Sequence, residues 1–218
     1  MRARPYLVPS SSPAFLPVSA SALTVFPRNK PVFLGISGGE GSYTEQAARQ
    51  YAKARAIHQP QFECLTFVKD VLMKLQDGHI DIAVFGIVNS SGGVVDEYMK
   101  YIGEFRFKFV EIMTFEVNHM LLGLPGTTRE QVLKVVSQEQ ALRQCRNLQA
   151  SWTGVDFESY IDTATAAKHL SEGILSPDTA VIASEACAEL YGLDILARCV
   201  QDKKPNITSF IVAEQLGA

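Results

Sequence analysis

The chain has 218 residues, of which 47% are hydrophobic and 20% charged, and its formal net charge is −3. That length suits one domain, or two small lobes, with a sizeable core. Without a Lys/Arg-rich run there is no electrostatic footprint for nucleic acid or anionic membrane, and no apolar run reaches the roughly 18 residues of a membrane-spanning helix.

The first thirty residues contain no Asp or Glu and are rich in Ser, Ala and Pro. They read as a disordered or loosely packed extension. An acid-free start carrying Arg and Ser also fits an organellar targeting segment, although a cytoplasmic location is the preferred reading. From Pro31 the pattern turns regular. PVFLGIS reads as a buried strand, and GGEGSYTEQAARQYAKA as a Gly-rich turn and a helix capped by Ser42 or Thr44. FECLTF is a second strand, VKDVLMKLQDG an amphipathic helix ended by Gly78, and IDIAVFGIV a third strand. This β-α-β-α-β order predicts a parallel sheet.

FKFVEIMTFEVNHMLLGL is a long β-rich stretch, either a hairpin or a crossover strand. TTREQVL starts a short helix with Thr127 or Thr128 as its cap. Then come a strand (KVVSQ), one helix (EQALRQCRNLQAS), a strand (DFESY), a helix (DTATAAKHLSEG), a strand (TAVIAS) and a helix (SEACAELYG) ending at Gly192. LDILARCV leads to a last strand, NITSFIVA, with the adjacent hydroxyls Thr208 and Ser209 at its centre. The fold class expected is α/β, two lobes with a cleft between them. Cys64, Cys145, Cys187 and Cys199 show no C-x-x-C spacing and read as reduced, buried thiols. The four histidines are dispersed, which argues against a zinc site. No metal or cofactor is expected.

In GGEGSYTEQ, GIVNSSGG and VVSQEQALRQC a strand ends in small polar residues just before a helix or turn. Ligands of open α/β sheets sit at such ends, where N–H groups of helix starts favour anions. Gly41, Ser42, Thr44, Asn89, Ser90, Ser137 and Gln144 therefore form a candidate neutral, donor-rich site for carboxylates. Each of them also reads as an ordinary turn or cap residue.

In order, GEGSYTEQAA, IVNSSGGVV, SQEQALRQC, DTATAA, AVIASEACAELYGLDIL and NITSF resemble the prephenate dehydratase family, from about Val32 to Val212. SQEQALRQC and ASEACAELYGL are the most specific parts. The resemblance implies a two-lobed fold like a periplasmic-binding-protein type II unit. Lobe one would hold about residues 31–115 and 200–215, and lobe two about 116–199. It implies prephenate as the substrate in the interlobe cleft, a homodimer, and a last strand that returns to the first lobe and faces the cleft. Thr208, Asn89, Gln144 and Asp162 would be catalytic. Gly41, Ser42, Thr44, Ser90, Ser137, Ser209 and Phe210 would bind substrate. The regulatory ACT domain that often follows a dehydratase is not expected, since the sequence stops at Ala218.

Three departures from the family pattern stand out. Val88 occupies a Glu position, Gln138-Glu139 replaces His-Pro, and Ser209 stands where Thr-Arg-Phe has its Arg. Dehydration expels the ring hydroxyl and carbon dioxide together and needs a donor to the leaving oxygen, worth ~10²–10⁴-fold. A decarboxylase that does not aromatise its product must leave that hydroxyl unprotonated. With Ser209 and Val88 read as charges lost from the cleft, non-aromatising decarboxylation to a dihydro-4-hydroxyphenylpyruvate is expected, in specialised amino-acid or natural-product biosynthesis. Prephenate or arogenate dehydration is the alternative, and an inactive small-molecule binder is the alternative of another class.

Overall fold

A computed structural model of the protein describes residues 30–216. The extension read over residues 1–29, and its targeting reading, lie outside them. Two mixed sheets form two α/β lobes. In the first, β1 (Val32–Ser37), β2 (Pro60–Leu65) and β3 (Ile82–Asn89) are mutually parallel, as expected from the sequence. The short β4 (Gly93–Val94) hangs on β3. The last strand, β11 (Ile207–Gln215), runs antiparallel between β3 and β5 (Phe107–Glu116), giving the order β2-β1-β3-β11-β5. The sheet is therefore mixed rather than purely parallel.

Helix α1 (Tyr43–Ala54) covers one face of this sheet. Ala47, Ala48, Tyr51 and Ala52 bury against Leu34, Ile36, Val84 and Val212. Their spacing makes the helix amphipathic, and small residues let it lie close. Helix α2 (Val68–Gln76) covers the other face, with Val71, Leu72 and Leu75 against Phe85, Ile211 and Ala213. Tyr98 and Tyr101 of α3 (Asp96–Tyr101) add to that layer. Strand β11 thus alternates faces residue by residue: Phe210 and Val212 toward α1, Ile211 and Ala213 toward α2.

The long β-rich stretch is a crossover. After β5 the chain passes through residues 117–119 into β6 (Met120–Gly123) of the second sheet. That sheet has the order β10-β6-β9-β7-β8, with β7 (Lys134–Ser137), β8 (Asp156–Ser159) and β9 (Thr179–Ala183) parallel. LDILARCV is itself a strand in part, since β10 (Asp194–Ala197) pairs antiparallel with β6. Helices α6 (Thr163–Ser171) and α7 (Glu185–Tyr191) cover one face.

Two helices differ from their expected form. TTREQVL is only a 3-10 turn, Arg129–Gln131, closed by a capping box of Thr128 and Gln131. EQALRQCRNLQAS breaks into α4 (Glu139–Arg143) and α5 (Arg146–Ser151). The cause is Asp202, whose carboxylate accepts the N–H groups of Arg146 and Asn147, both at 2.9 Å, and so starts a new helix there.

The lobes also meet through the turn before α1. Ser184 Oγ, at the N-cap of α7, donates to the carbonyl of Gly41 at 2.6 Å, and Tyr191 donates to the carbonyl of Glu40 at 2.9 Å. Gly41 has φ +85°, and a Cβ there would lie 2.9 Å from Cys187 Sγ. Gly41→Ala is expected to lower stability by ~1–3 kcal/mol, from left-handed strain and overpacking. Urea unfolding checks this. Adding Cys187→Ala should return part of the loss, because the two sites share one contact.

Candidate active site

Between the lobes lies a cavity of about 600 Å³. Its first-lobe wall comes from the carboxyl ends of β1 and β3, the starts of α1 and α2, the end of α3 and the β11 side chains that face α1. Its second-lobe wall comes from the starts of α4 and α6. Ser42, Thr44, Asn89, Gln144, Asp162, Thr208 and Phe210 all line it. The charged lining residues are Lys69, Asp70, Lys100 and Asp162.

Asn89 sits at the end of β3, 5% exposed. Its Oδ1 accepts the backbone N–H groups of Ser91 at 2.8 Å and Gly92 at 2.7 Å. Its Nδ2 donates to Thr208 Oγ1 at 2.9 Å and to Asn206 Oδ1 at 2.8 Å. Asn206, fully buried, donates from Nδ2 to Gln144 Oε1 at 2.7 Å. His119 Nε2 is 3.3 Å from the same oxygen, and its Nδ1 is 3.2 Å from the Tyr43 hydroxyl. Burial pushes the His119 imidazole down to about 4, with the Gln144 bond opposing the shift. The ring is therefore neutral at physiological pH. Burial also raises the Tyr43 hydroxyl well above its ordinary range, so it is a neutral donor and acceptor.

Ser42 and Asp162 are true N-caps. Ser42 Oγ accepts from Glu45 N–H at 3.2 Å, while Asp162 Oδ1 accepts from Ala164 and Thr165 N–H at 2.8 and 2.9 Å. Asp162 Oδ2 takes the Thr165 hydroxyl. Both residues thus hold helix starts at the cavity wall.

Four residues from the sequence reading stay out of the lining. Gly41 is the interlobe contact already described. Ser137 is fully buried, its Oγ donating to the carbonyl of Ile182 at 2.6 Å, and it ties β7 to β9. Ser90 exchanges two hydrogen bonds with Ile207, through its N–H at 2.8 Å and its Oγ at 2.9 Å, fastening β11 to the end of β3. Ser209 corrects the picture of a hydroxyl pair in the cleft. Neighbours on a strand point to opposite faces, so Thr208 enters the cavity and Ser209, which does not line it, points to the other face of the strand. Ser209 stands directly across from Val88, which is 37% exposed and also off the lining. Two of the three departures from the family pattern are thus one cross-strand pair outside the cavity, whereas Gln138 of the third lines it.

Tyr43, His119 and Asn206 escaped the sequence reading. His119 and Asn206 left a weak signal, polar side chains bordering the apolar runs of VNHMLLGL and NITSFIVA, and Tyr43 left none.

The prephenate dehydratase family model matches residues 34–216. The chain belongs to that family. It is 36% identical over 177 residues to arogenate dehydratase 1 of Petunia hybrida, a match covering 80% of this chain and 40% of that protein. It thus spans well under half the length of this curated relative. Among solved structures, the prephenate dehydratase of Arthrobacter aurescens in complex with L-Phe superposes with TM-score 0.75 at 24% identity, over 86% of this chain and 61% of that one. GqqA, described as a novel type of quorum quenching acylase, superposes with TM-score 0.69 at 28% identity, over 87% and 65% of the two chains. Among the described residues no helix is long and apolar enough to cross a membrane.

The His119 shift sets a pH dependence. Its folded-state value lies below the unfolded value near 6.5, so protonation favours the unfolded chain. Its contribution is intact above about pH 6.5 and is lost as pH falls from there toward 4, up to about 3 kcal/mol. Between pH 7 and pH 4 the urea midpoint of the wild type should fall further than that of His119→Gln, which lacks the titrating ring.

Proposed function

We propose that this chain is a dehydratase unit for prephenate or arogenate. The carboxylate on the ring leaves as carbon dioxide, its bonding pair becomes a ring double bond, and the ring hydroxyl departs as water after taking a proton. The observation that carries this reading is the Thr208 hydroxyl. Its oxygen already accepts from Asn89, so its hydrogen is the part left to donate into the cavity. General-acid help of that kind is worth ~10²–10⁴-fold. The first-turn N–H groups of the twelve-residue α1, at Tyr43 and Thr44, suit a substrate carboxylate, and Lys69 and Lys100 add positive charge at the mouth.

This reading stands ahead of the non-aromatising decarboxylation expected from the sequence. That expectation needed Val88 and Ser209 to be neutral positions inside the cavity, and the relatives named above favour dehydration. Acyl transfer, as in the name of GqqA, needs a nucleophile beside a base. Thr208 has an amide beside it instead, and the imidazole touches Gln144 and Tyr43.

The test is product analysis with purified protein and each substrate. Phenylpyruvate from prephenate, or phenylalanine from arogenate, is expected. Thr208→Val should then lower kcat by ~10²-fold or more while leaving the fold intact. A non-aromatic hydroxy-dihydro keto acid from prephenate would replace dehydration by decarboxylation. Tight binding without turnover would make the chain a binding protein.

A further inference from the structure

The chain of polar side chains beneath the cavity has a direction, and its starting point is backbone. Main-chain N–H groups only donate. Ser91 and Gly92 both aim theirs at one atom of the Asn89 amide, so that atom is the oxygen, and the amide nitrogen must face Thr208 and Asn206. The Asn206 atom that meets this nitrogen is then an acceptor, Oδ1, and its Nδ2 turns to Gln144. Gln144 must answer with Oε1. The imidazole nitrogen that shares this oxygen, Nε2 of His119, must carry the hydrogen. With the ring neutral, Nδ1 is bare and accepts from Tyr43, whose single hydrogen is shared among Nδ1 at 3.2 Å and the carbonyls of Asn118 at 2.8 Å and Ala183 at 3.3 Å. Each amide orientation and the ring tautomer follow from two peptide N–H groups, with no choice left along the way.

We propose that Asn206 and His119 are positioning residues: they lock the Asn89 and Gln144 amides in one orientation so that Thr208 is held as an acceptor toward Asn89 and a donor toward the substrate. Asn206 joins the two lobes' contributions, since Asn89 lies on β3 and Gln144 follows α4. His119 places a second donor on Gln144 Oε1, so a flipped Gln144 would set its nitrogen against two donors at once. An unpaired donor of this kind in a dry site costs roughly 1–3 kcal/mol. Neither residue needs to touch the substrate. Their effect reaches it through the direction of the Thr208 O–H, and misplacing a reacting group can cost about 10²-fold.

The kinetic arm of the test rests on the dehydratase reading, while the spectroscopic arm does not. Histidine ring ¹⁵N NMR at pH 7, with His119 assigned by comparison with His119→Gln, should show a neutral ring protonated at Nε2. In Asn206→Asp the new carboxyl, whose ionisation is read from its side-chain ¹³C shift, accepts on both sides when it is ionised. Gln144 must then turn its nitrogen inward, and His119 should switch to the Nδ1-protonated form. In the same variant kcat should fall roughly 10²-fold with KM little changed. His119→Gln, which keeps a donor for Gln144, should retain far more kcat than His119→Phe. An Nδ1-protonated ring in the wild type overturns the proposal, as does an unchanged tautomer or an unchanged kcat in folded Asn206→Asp with its carboxyl ionised. If Asn206→Asp does not fold or keeps its carboxyl protonated, the wild-type tautomer and the two His119 variants decide. If the wild type turns over neither prephenate nor arogenate, the dehydratase reading fails and the ring tautomers alone judge the relay.

Discussion

The structure depends on two strands of connecting chain that hold hands. The polypeptide passes between the lobes twice, at residues 117–119 and again between β10 and β11, and the two passages are hydrogen-bonded to each other. Val117 N–H donates to the carbonyl of Asn206 at 2.7 Å, and Val200 N–H to the carbonyl of His119 at 2.9 Å. Gln201 seals the joint from its side chain: it accepts the N–H of His119 at 3.0 Å and donates to Asn118 Oδ1 at 2.9 Å. Buried backbone groups must be paired, and here the partner of each passage is the other passage. The hinge and the floor of the cavity are consequently the same piece of structure.

That identity explains why the floor of the site is neutral. His119 and Asn206 sit on the passages, too deep for a charge to be tolerated without a partner. The polar work at the floor is done by amides, a hydroxyl and an uncharged imidazole. Ionic groups are kept to helix starts and to the mouth. Elsewhere among the described residues, buried charge appears where it is matched, as with Glu111, 1% exposed and gripped by the Arg55 guanidinium at 3.3 and 2.5 Å.

Local chemistry made most of the elements legible in the sequence. Ser42, Asp162 and Ser184 cap the helices their positions suggest, and Gly192 ends α7 in a left-handed conformation. What escaped was decided by distant chain. Nothing near residue 145 warns that Asp202 will divide a helix there, and nothing within DILA announces an edge strand. The two lobes were legible in the order of strands and helices, and the order of the motifs added which two-lobed fold they make. At the site, Asn89, Gln144 and Thr208 were found because they close strands or helices in a recognisable order. His119 was passed over because histidine was weighed only as a metal ligand. Ser209 was the opposite case. Strand alternation alone separates it from Thr208, and the adjacency of two hydroxyls in the text hid the fact that they point apart.

The insertion of β11 between β3 and β5 also bears on how the protein is made. A ribosome delivers residues in order, and the first sheet lacks its central antiparallel strand until everything before residue 207 has been synthesised. The second sheet, by contrast, is contiguous from β6 to β10 and can close as soon as it emerges. Nascent β3 and β5 must wait with facing edges unpaired, a state open to mispairing. The usual order, in which the amino-terminal unit matures first, is therefore reversed: the inner lobe folds ahead, and the lobe that begins the chain is finished last.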